Sequence, residues 1–295
     1  MTSGNTETGD IRALTAHITE QLRLADIEQP RFEAQLILAH VLGVSRSAII
    51  AGTPAFPDAE LLQQIAQFAE ARAIRRVPFA YLRGNQEFYG LSFEVGPGVL
   101  IPRPETEMLV EFAIAQLNVS TTPEPLIVDV CCGTGCIGIA ALYSCESARG
   151  VSIDVSPGAV HYTLRNAAAQ GVAHRIQVQQ ADLLSSIAPG VHADVLVSNP
   201  PYIPASDLAT LQPEVRLHEP YLALDGGPDG LYLVRKIVSC ARTVLKPAGA
   251  IALEIGAGQA EATAILLRDA GFLNVQIHPD FAGIGRMVTG AAPHQ

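Results

Sequence analysis

The sequence predicts an α/β protein in which a mostly parallel sheet of seven strands is preceded by a small helical bundle and a β-hairpin linker. Three observations carry that expectation. Up to residue 84 the apolar residues recur at helical spacing only; the next stretch, EFYGLSFEVGPGVLIPRPETE, changes to a period of two; from Glu105 onward, strand-length apolar runs alternate with helical segments. Such alternation implies parallel strands covered by helices on both faces. The boundaries expected are 1–84, 85–104 and 105–295.

Each element has a local reason. Ile11, Leu14, Ile18 and Leu22 share one helical face; Pro30 opens a second helix with Ala34, Ile37, Leu38 and Val41 inward, and Gly43 stops it. A third runs from near Pro57 with Leu61, Leu62, Ile65 and Phe68 inward and ends before Pro78. In the linker, Leu91, Phe93 and Val95 alternate with Ser92 and Glu94, and Gly96-Pro97-Gly98 supplies a turn. A helix from Glu107 to Leu117 precedes the strand LIVDV. A helix from about Ile137, the strand GVSID, a helix from Pro157 to Gln170 and the strands IQVQQ and DVLVSN follow. A helix from about Leu231 to Leu245, the strand AIALEI, a helix from Gln259 to Ala270 and the strands NVQIHP and RMVTG complete the chain.

Composition bounds the function. At 295 residues, 48% hydrophobic and 16% charged, the chain can bury a sizeable core. Nineteen Lys plus Arg against 29 Asp plus Glu give a net charge of -10, which disfavours a nucleic-acid partner. The opening MTSGNTETGD lacks a basic segment followed by an apolar stretch, and no run is long enough to span a bilayer, so no membrane and a cytoplasmic location are expected. Five cysteines are an odd count in apolar surroundings, as reduced thiols would be. The Cys131, Cys132, Cys136 spacing does not suit zinc, and no metal is expected.

Ligands of such sheets sit at the carboxyl ends of strands where strand order reverses, so strand-end residues are the candidates. After LIVDV comes CCGTGCIG, in which Gly133, Gly135 and Gly138 satisfy G-x-G-x-x-G, and Asp154 ends the next strand. A Gly-rich turn into a helix admits close ligand approach, and an acid at the next strand end accepts from ribose hydroxyls; NAD and S-adenosylmethionine both ask for this. Asp129 at the end of the first strand opposes a pyrophosphate but suits a sulfonium, and Asp182 or the backbone beside it can meet an adenine amino group. S-adenosylmethionine is the cofactor favoured.

The strand DVLVSN closes on Asn199, Pro200, Pro201 and Tyr202. Asn before Pro is pushed to extended geometry, and the prolines fix φ while offering carbonyls without N–H groups. The Asn199 side-chain oxygen and the Pro200 carbonyl can then point the same way as two acceptors for an NH2 group, with Tyr202 as a flat wall against it. Acceptors slightly out of the plane of that group favour the pyramidal nitrogen that develops as a methyl arrives, an effect larger in the transition state than in the ground state.

The chain resembles the HemK-type family, the protein-(glutamine-N5) methyltransferases that modify the Gly-Gly-Gln glutamine of bacterial peptide-chain release factors. The likeness lies in PFAYLRGNQEFYGLSFEV, VLIPRPETE, SNPPYIP, EVRLHEPYLALDGGPDGL, ALEIG and FAGIGR. NPPY alone is shared with adenine-N6 and cytosine-N4 nucleic-acid methyltransferases; IPRPETE together with NPPYI and LDGGPDGL discriminates. The resemblance implies a Rossmann-like class I methyltransferase sheet with a helical substrate-recognition domain. It also implies cofactor contacts from Cys131, Cys132, Gly133, Thr134, Gly135, Asp154, Asp182 and Leu183, with Asn199 near the methyl group, and substrate contacts from Asn199, Pro200, Pro201 and Tyr202. Class 1 release factors are the implied partners. Cys131 stands where many relatives have the first Gly of the turn and Cys136 where many have a third; Cys131 also occurs in sister enzymes acting on a large-subunit ribosomal protein, the alternative substrate. His218 and Glu219 read equally well as substrate contacts or as a loop-stabilising pair, and Arg103 and Glu105 as a clamp of the hairpin over the cofactor or, at least as well, as residues of the helix entry at Pro104.

Overall fold

The computed structural model describes residues 10–188 and 191–294, so the opening stretch read above for a leader lies outside the described residues except for Asp10. The chain forms two compact units.

The first unit takes the residues up to Arg83 together with the short helix Pro213–His218. Its helices are α1 (Ile11–Leu24), α2 (Pro30–Leu42), α3 (Arg46–Ala51), α4 (Ala59–Ala73) and α5 (Phe79–Arg83). The Asp10 carboxylate accepts from the Arg12 N–H at the start of α1, and that of Asp58 from the Leu61 N–H at the start of α4. Leu22, Ile37, Leu38, Ile49 and Ile65 are buried together as one core. Against it Arg72 is buried between two carboxylates, with Nε 2.5 Å from Glu33 and Nη1 2.7 Å from Glu214, while Arg76 also reaches Glu214 at 2.7 Å. A buried guanidinium is tolerable only when paired in this way. Burial pushes the Glu214 carboxyl up, but Arg76 and Arg72 outweigh it and hold the group below the usual carboxylate range.

The second unit, 84–212 and 219–295, begins with a hairpin of β1 (Asn85–Phe88) and β2 (Leu91–Glu94). Its turn is Tyr89-Gly90, both left-handed at φ 51° and 71°, the pattern of a type I′ hairpin. Gly96-Pro97-Gly98 forms a separate turn beyond the hairpin. The alternation of Leu91, Phe93 and Val95 marks the second strand and its continuation, and four-residue strands leave Tyr89 and Gly90 as the reversal. The Glu107 carboxylate accepts from the Tyr89 N–H at 2.8 Å and braces that strained residue.

The remaining elements are α6 (Glu107–Val119), β3 (Leu126–Val130), α7 (Cys136–Ser144), β4 (Arg149–Asp154), α8 (Pro157–Ala169), β5 (Ile176–Gln180), β6 (Ala193–Ser198), α9 (Pro213–His218), α10 (Tyr232–Val244), β7 (Leu245–Glu254), α11 (Ala260–Asp269), β8 (Leu273–Pro279) and β9 (Gly285–Ala291). The strands form a seven-stranded sheet in the order β5-β4-β3-β6-β7-β9-β8, parallel except for β9, which runs antiparallel to both neighbours. β7 starts directly after α10, five residues before AIALEI, and its register with β6 shifts between Ala193 and Val195. Successive residues of β3 and β6 face opposite layers: Ile127, Val195 and Val197 pack with α6, α7 and α8, and Val128 and Leu196 with α10 and α11. That two-sided burial explains the near-continuous apolar runs of these strands. Among the described residues no helix is long and apolar enough to cross a membrane.

Candidate functional site

Strand order reverses between β3 and β6, because β3 is followed outward by β4 and β5 on one side and flanked by β6 on the other. At the carboxyl ends of these strands lies a cavity of about 440 Å³. It is lined by the turn Cys131–Thr134 after β3, Asp154 at the end of β4, Asp182 and Leu183 after β5, and Asn199 and Pro201 after β6. Four separate strand ends thus deliver residues 131 to 201 to one place.

The turn after β3 is held from both sides. Cys131, Gly133 and Gly135 have φ of 58°, 55° and 77°. Thr163 Oγ1 donates to the Gly133 carbonyl at 3.0 Å and Asn166 Nδ2 to that of Thr134 at 3.0 Å, both from α8. The Gly133 N–H donates to Asp154 Oδ2 at 3.0 Å and the Ser156 N–H to Oδ1 at 2.9 Å, so the carboxyl is fixed at the cavity wall with lone pairs to spare. Burial pushes the Asp154 pKa up, and these backbone donors pull it down. The Asp182 side chain is 68% exposed, 3.9 Å from Lys236.

Asp129 is placed otherwise than the sequence suggested. It is fully buried, does not line the cavity, and accepts the Gly138 N–H at 3.0 Å through Oδ2, anchoring the first turn of α7. Oδ1 is left without a partner among the described residues, and burial pushes its pKa up to about 7. Gly135, Pro200 and Tyr202 are not in the cavity wall either; Gly135 is the residue before α7, with Thr163 and Ile139 against it. Burial pushes the Tyr202 phenol up to about 12, so it stays protonated. The thiols of Cys131, Cys132 and Cys136 are pushed well above the usual range by burial, and the five cysteines are free. Cys131 occupies a conformation that costs an L residue roughly 1–2 kcal/mol. Cys131→Gly should therefore leave stability within about 1 kcal/mol of the parent, strain relief offsetting lost packing. Gly135→Ala should destabilise by about 2–3 kcal/mol, because its Cβ would lie 2.7 Å from Thr163 Cγ2 and 2.8 Å from Ile139 Cδ1. Calorimetric melting of the two variants checks this.

Asn199 is half-buried, and its Nδ2 donates to Thr106 Oγ1 at 3.1 Å, which leaves Oδ1 as the opposite end of the amide. The backbone beyond it is clamped by the GGPDG segment and by Gln259. Ile203 N–H donates to the Leu224 carbonyl at 3.1 Å, Gly226 N–H to that of Ile203 at 2.9 Å, and Gln259 Nε2 to that of Tyr202 at 2.8 Å. Over the cavity, Glu219 ion-pairs with Arg103 and accepts the Ile101 N–H at 3.1 Å, pinning the strap from Gly98 to Arg103. His218, by contrast, lies 2.6 Å from the Arg75 carbonyl.

Sequence reasoning missed Thr106, Asn166 and Gln259. Their partners lie 93, 32 and 57 residues away, and no local pattern announces them.

The PrmC N-terminal domain family model matches residues 13–84 and the Methyltransferase small domain model residues 107–214. A release factor glutamine methyltransferase of Cereibacter sphaeroides is 38% identical over 275 residues, covering 92% of this chain and 95% of its own. One of Mycolicibacterium smegmatis is 38% identical over 281 residues, covering 95% and 96%. A methyltransferase structure from Pyrococcus furiosus superposes with a TM-score of 0.51 at 15% identity over 79% of this chain and 98% of that one, a likeness of fold. Aligned with these relatives across both units, the chain belongs to the release factor glutamine methyltransferase family.

Proposed function

We propose that the protein transfers a methyl group from S-adenosylmethionine to the side-chain amide nitrogen of the Gly-Gly-Gln glutamine of class 1 peptide-chain release factors. The observation that carries this reading is Asn199. It reaches the cavity from the end of β6, beside the turn Cys131–Thr134 and Asp154, with its amide nitrogen turned to Thr106 and its oxygen free. The family supplies the substrate class; the named relatives are release factor glutamine methyltransferases.

The cavity fits the cofactor on its own chemistry. A left-handed turn allows close approach at its glycines, and the Asp154 carboxylate, pinned by two backbone N–H groups, can accept from ribose hydroxyls. Asp182 and Leu183, which also line the cavity, are assigned to the adenine edge. S-adenosylmethionine, when bound, supplies an electrophilic methyl group on a positively charged sulfur.

Everything else falls to the chain. Asn199 Oδ1 accepts one hydrogen of the glutamine carboxamide at the cavity wall and Pro201 bounds its plane there, while the Pro200 carbonyl and the Tyr202 ring, neither of which lines the cavity, are assigned the second hydrogen and the other face of the plane on the family likeness. Because the carboxamide lone pair is delocalised, acceptors lying out of plane stabilise the nitrogen more as it becomes tetrahedral. The proton becomes acidic only on alkylation, so no strong base is needed beforehand. Alignment provides most of the rate, for which effective molarities allow about 7–11 kcal/mol. The helical unit, which carries the PrmC N-terminal domain match, is assigned to gripping the release factor.

Mass spectrometry of a purified release factor incubated with the protein and S-adenosylmethionine tests the reading. A gain of one methyl group on the Gly-Gly-Gln peptide is the expected result. An unmodified peptide with folded protein, or a gain mapped to another residue, sinks it.

A further inference from the structure

One side chain of α8 is bonded both to the turn after β3 and to the strand that leads into the strap. Asn166 is 1% exposed. Its Oδ1 accepts the Glu94 N–H at 2.7 Å, and its Nδ2 donates to the Glu94 carbonyl at 3.1 Å and to the Thr134 carbonyl at 3.0 Å. Both donors of the amide are therefore used, on two segments far apart in the chain. Glu94 ends β2, and by turning its N–H and its carbonyl to the same amide it is bonded as a strand residue is to a neighbouring strand. The neighbours of Asn166 on α8 serve one segment each. Gln170 Nε2 donates to the Ser92 carbonyl at 2.7 Å and Arg165 pairs with the Glu94 carboxylate at 2.7 Å, both on the hairpin, whereas Thr163 holds the Gly133 carbonyl in the turn. Beyond Glu94 the chain stays on α8, where a Cβ on Gly96 would run into the Tyr162 hydroxyl. Four residues after Glu94, Gly98 begins the strap that lines the cavity.

We infer that Asn166 is a positioning residue for the cofactor, which registers the strap against the turn so that the two walls of the cavity respond to a bound ligand together. Asparagine is a poor helix former and is seldom buried, so its place inside α8 follows from these three bonds. With the Thr134 carbonyl and β2 fixed to one amide, the relative position of turn and strap is settled on folding. Without that tie, each wall would be ordered separately when the ligand arrives, and the ordering would weaken binding. The effect falls on cofactor affinity and not on the methyl acceptor, because Asn199 stands on β6 and has no bond to α8. The inference rests on the reading of the cavity as the S-adenosylmethionine site and deepens it.

Asn166→Asp separates the two bonds. An aspartate is the same size and still accepts the Glu94 N–H, but ionised it donates to neither carbonyl, and protonated it can serve one of them at most. Calorimetric titration should show S-adenosylhomocysteine binding weakened about tenfold or more in Asn166→Asp, with the KM for S-adenosylmethionine rising more than kcat falls. Gln170→Ala, which removes a bond to the hairpin and none to the turn, should bind within about twofold of the wild type. Hydrogen exchange reads the coupling itself. In the wild type, S-adenosylhomocysteine should slow exchange of the Gly135 N–H, which donates to the Cys132 carbonyl in the turn, and of the Glu94 N–H alongside it. In Asn166→Asp the ligand should slow Gly135 and leave Glu94 as it was. Neither titration nor exchange needs a release factor. A wild type that binds no S-adenosylhomocysteine removes the cofactor reading and the inference with it. Binding of equal strength in wild type and Asn166→Asp overturns the inference alone. So does a Glu94 amide that the ligand slows equally in both, or, should the variant not fold, one that is indifferent to the ligand in the wild type.

Discussion

Asn199→Ala is expected to lower the rate of methyl transfer by about 10²–10³, the usual consequence of removing one preorganised group that acts in the transition state. The alanine lacks the oxygen that meets the substrate amide. It also lacks the nitrogen that meets Thr106. Little else depends on the side chain. The six residues of β6 are buried on their own account, and Ser198 donates to the Val130 carbonyl at 2.6 Å whether or not residue 199 has an amide. Melting should therefore barely move, and titration with S-adenosylmethionine should still show binding, because Asp154 and the turn after β3 are braced from α8 and from the backbone. Single-turnover methylation of a release factor measures the rate. A variant that methylates at the wild-type rate removes Asn199 from the chemistry and leaves the acceptor role to backbone carbonyls alone.

That prediction was legible from residues 197–204, and the reason is physical. A buried strand ending in Asn-Pro-Pro-Tyr combines a forced backbone with a polar side chain at the end of a sheet where ligands collect. Strand and helix periods marked all seven strands, and in β3 and β6 two-sided burial writes itself into the continuous apolar runs LIVDV and DVLVS. What escaped was set by distant partners. The hairpin reverses at Tyr89-Gly90, where a tyrosine with φ 51° is held by Glu107, and a Gly-Pro-Gly nearby is the louder turn signal. Helix α9 belongs with the N-terminal helices through the Arg72–Glu214 and Arg76–Glu214 pairs, although it follows the Asn-Pro-Pro-Tyr segment in the chain. Asp129 read as a ligand because it ends a strand, yet it lies outside the cavity wall and its Oδ2 accepts from Gly138 at the start of α7. The fate of one strand-end carboxylate depends on which helix turn packs over it, and periodicity does not report that.

Gly230→Ala should lower methyl transfer by about 10²-fold without touching the substrate pocket directly. Gly230 has φ 75°, and a Cβ there would lie 2.2 Å from both the Tyr202 carbonyl oxygen and Gln259 Nε2, the two atoms that are hydrogen-bonded to each other. Those contacts are far inside van der Waals range, so the Tyr202 carbonyl must move. Pro200 and Pro201 have fixed φ, and the displacement passes up the chain toward Asn199 instead of being absorbed between them. A shift of about 1 Å at a reacting group is enough for a loss of this order. S-adenosylmethionine binding should persist, since Cys131 and Gly133 lie in the turn after β3 and Asp154 ends β4. The control is Gly258→Ala. That residue has φ 84°, so the alanine carries the same left-handed penalty of roughly 1–2 kcal/mol, but nothing lies within 4 Å of its Cβ. Gly258→Ala should cost a little stability and no rate, whereas Gly230→Ala should cost both. Equal rates in the two variants would mean that the Asn-Pro-Pro-Tyr segment is located by its own prolines, and that the clamp from GGPDG and Gln259 serves stability alone.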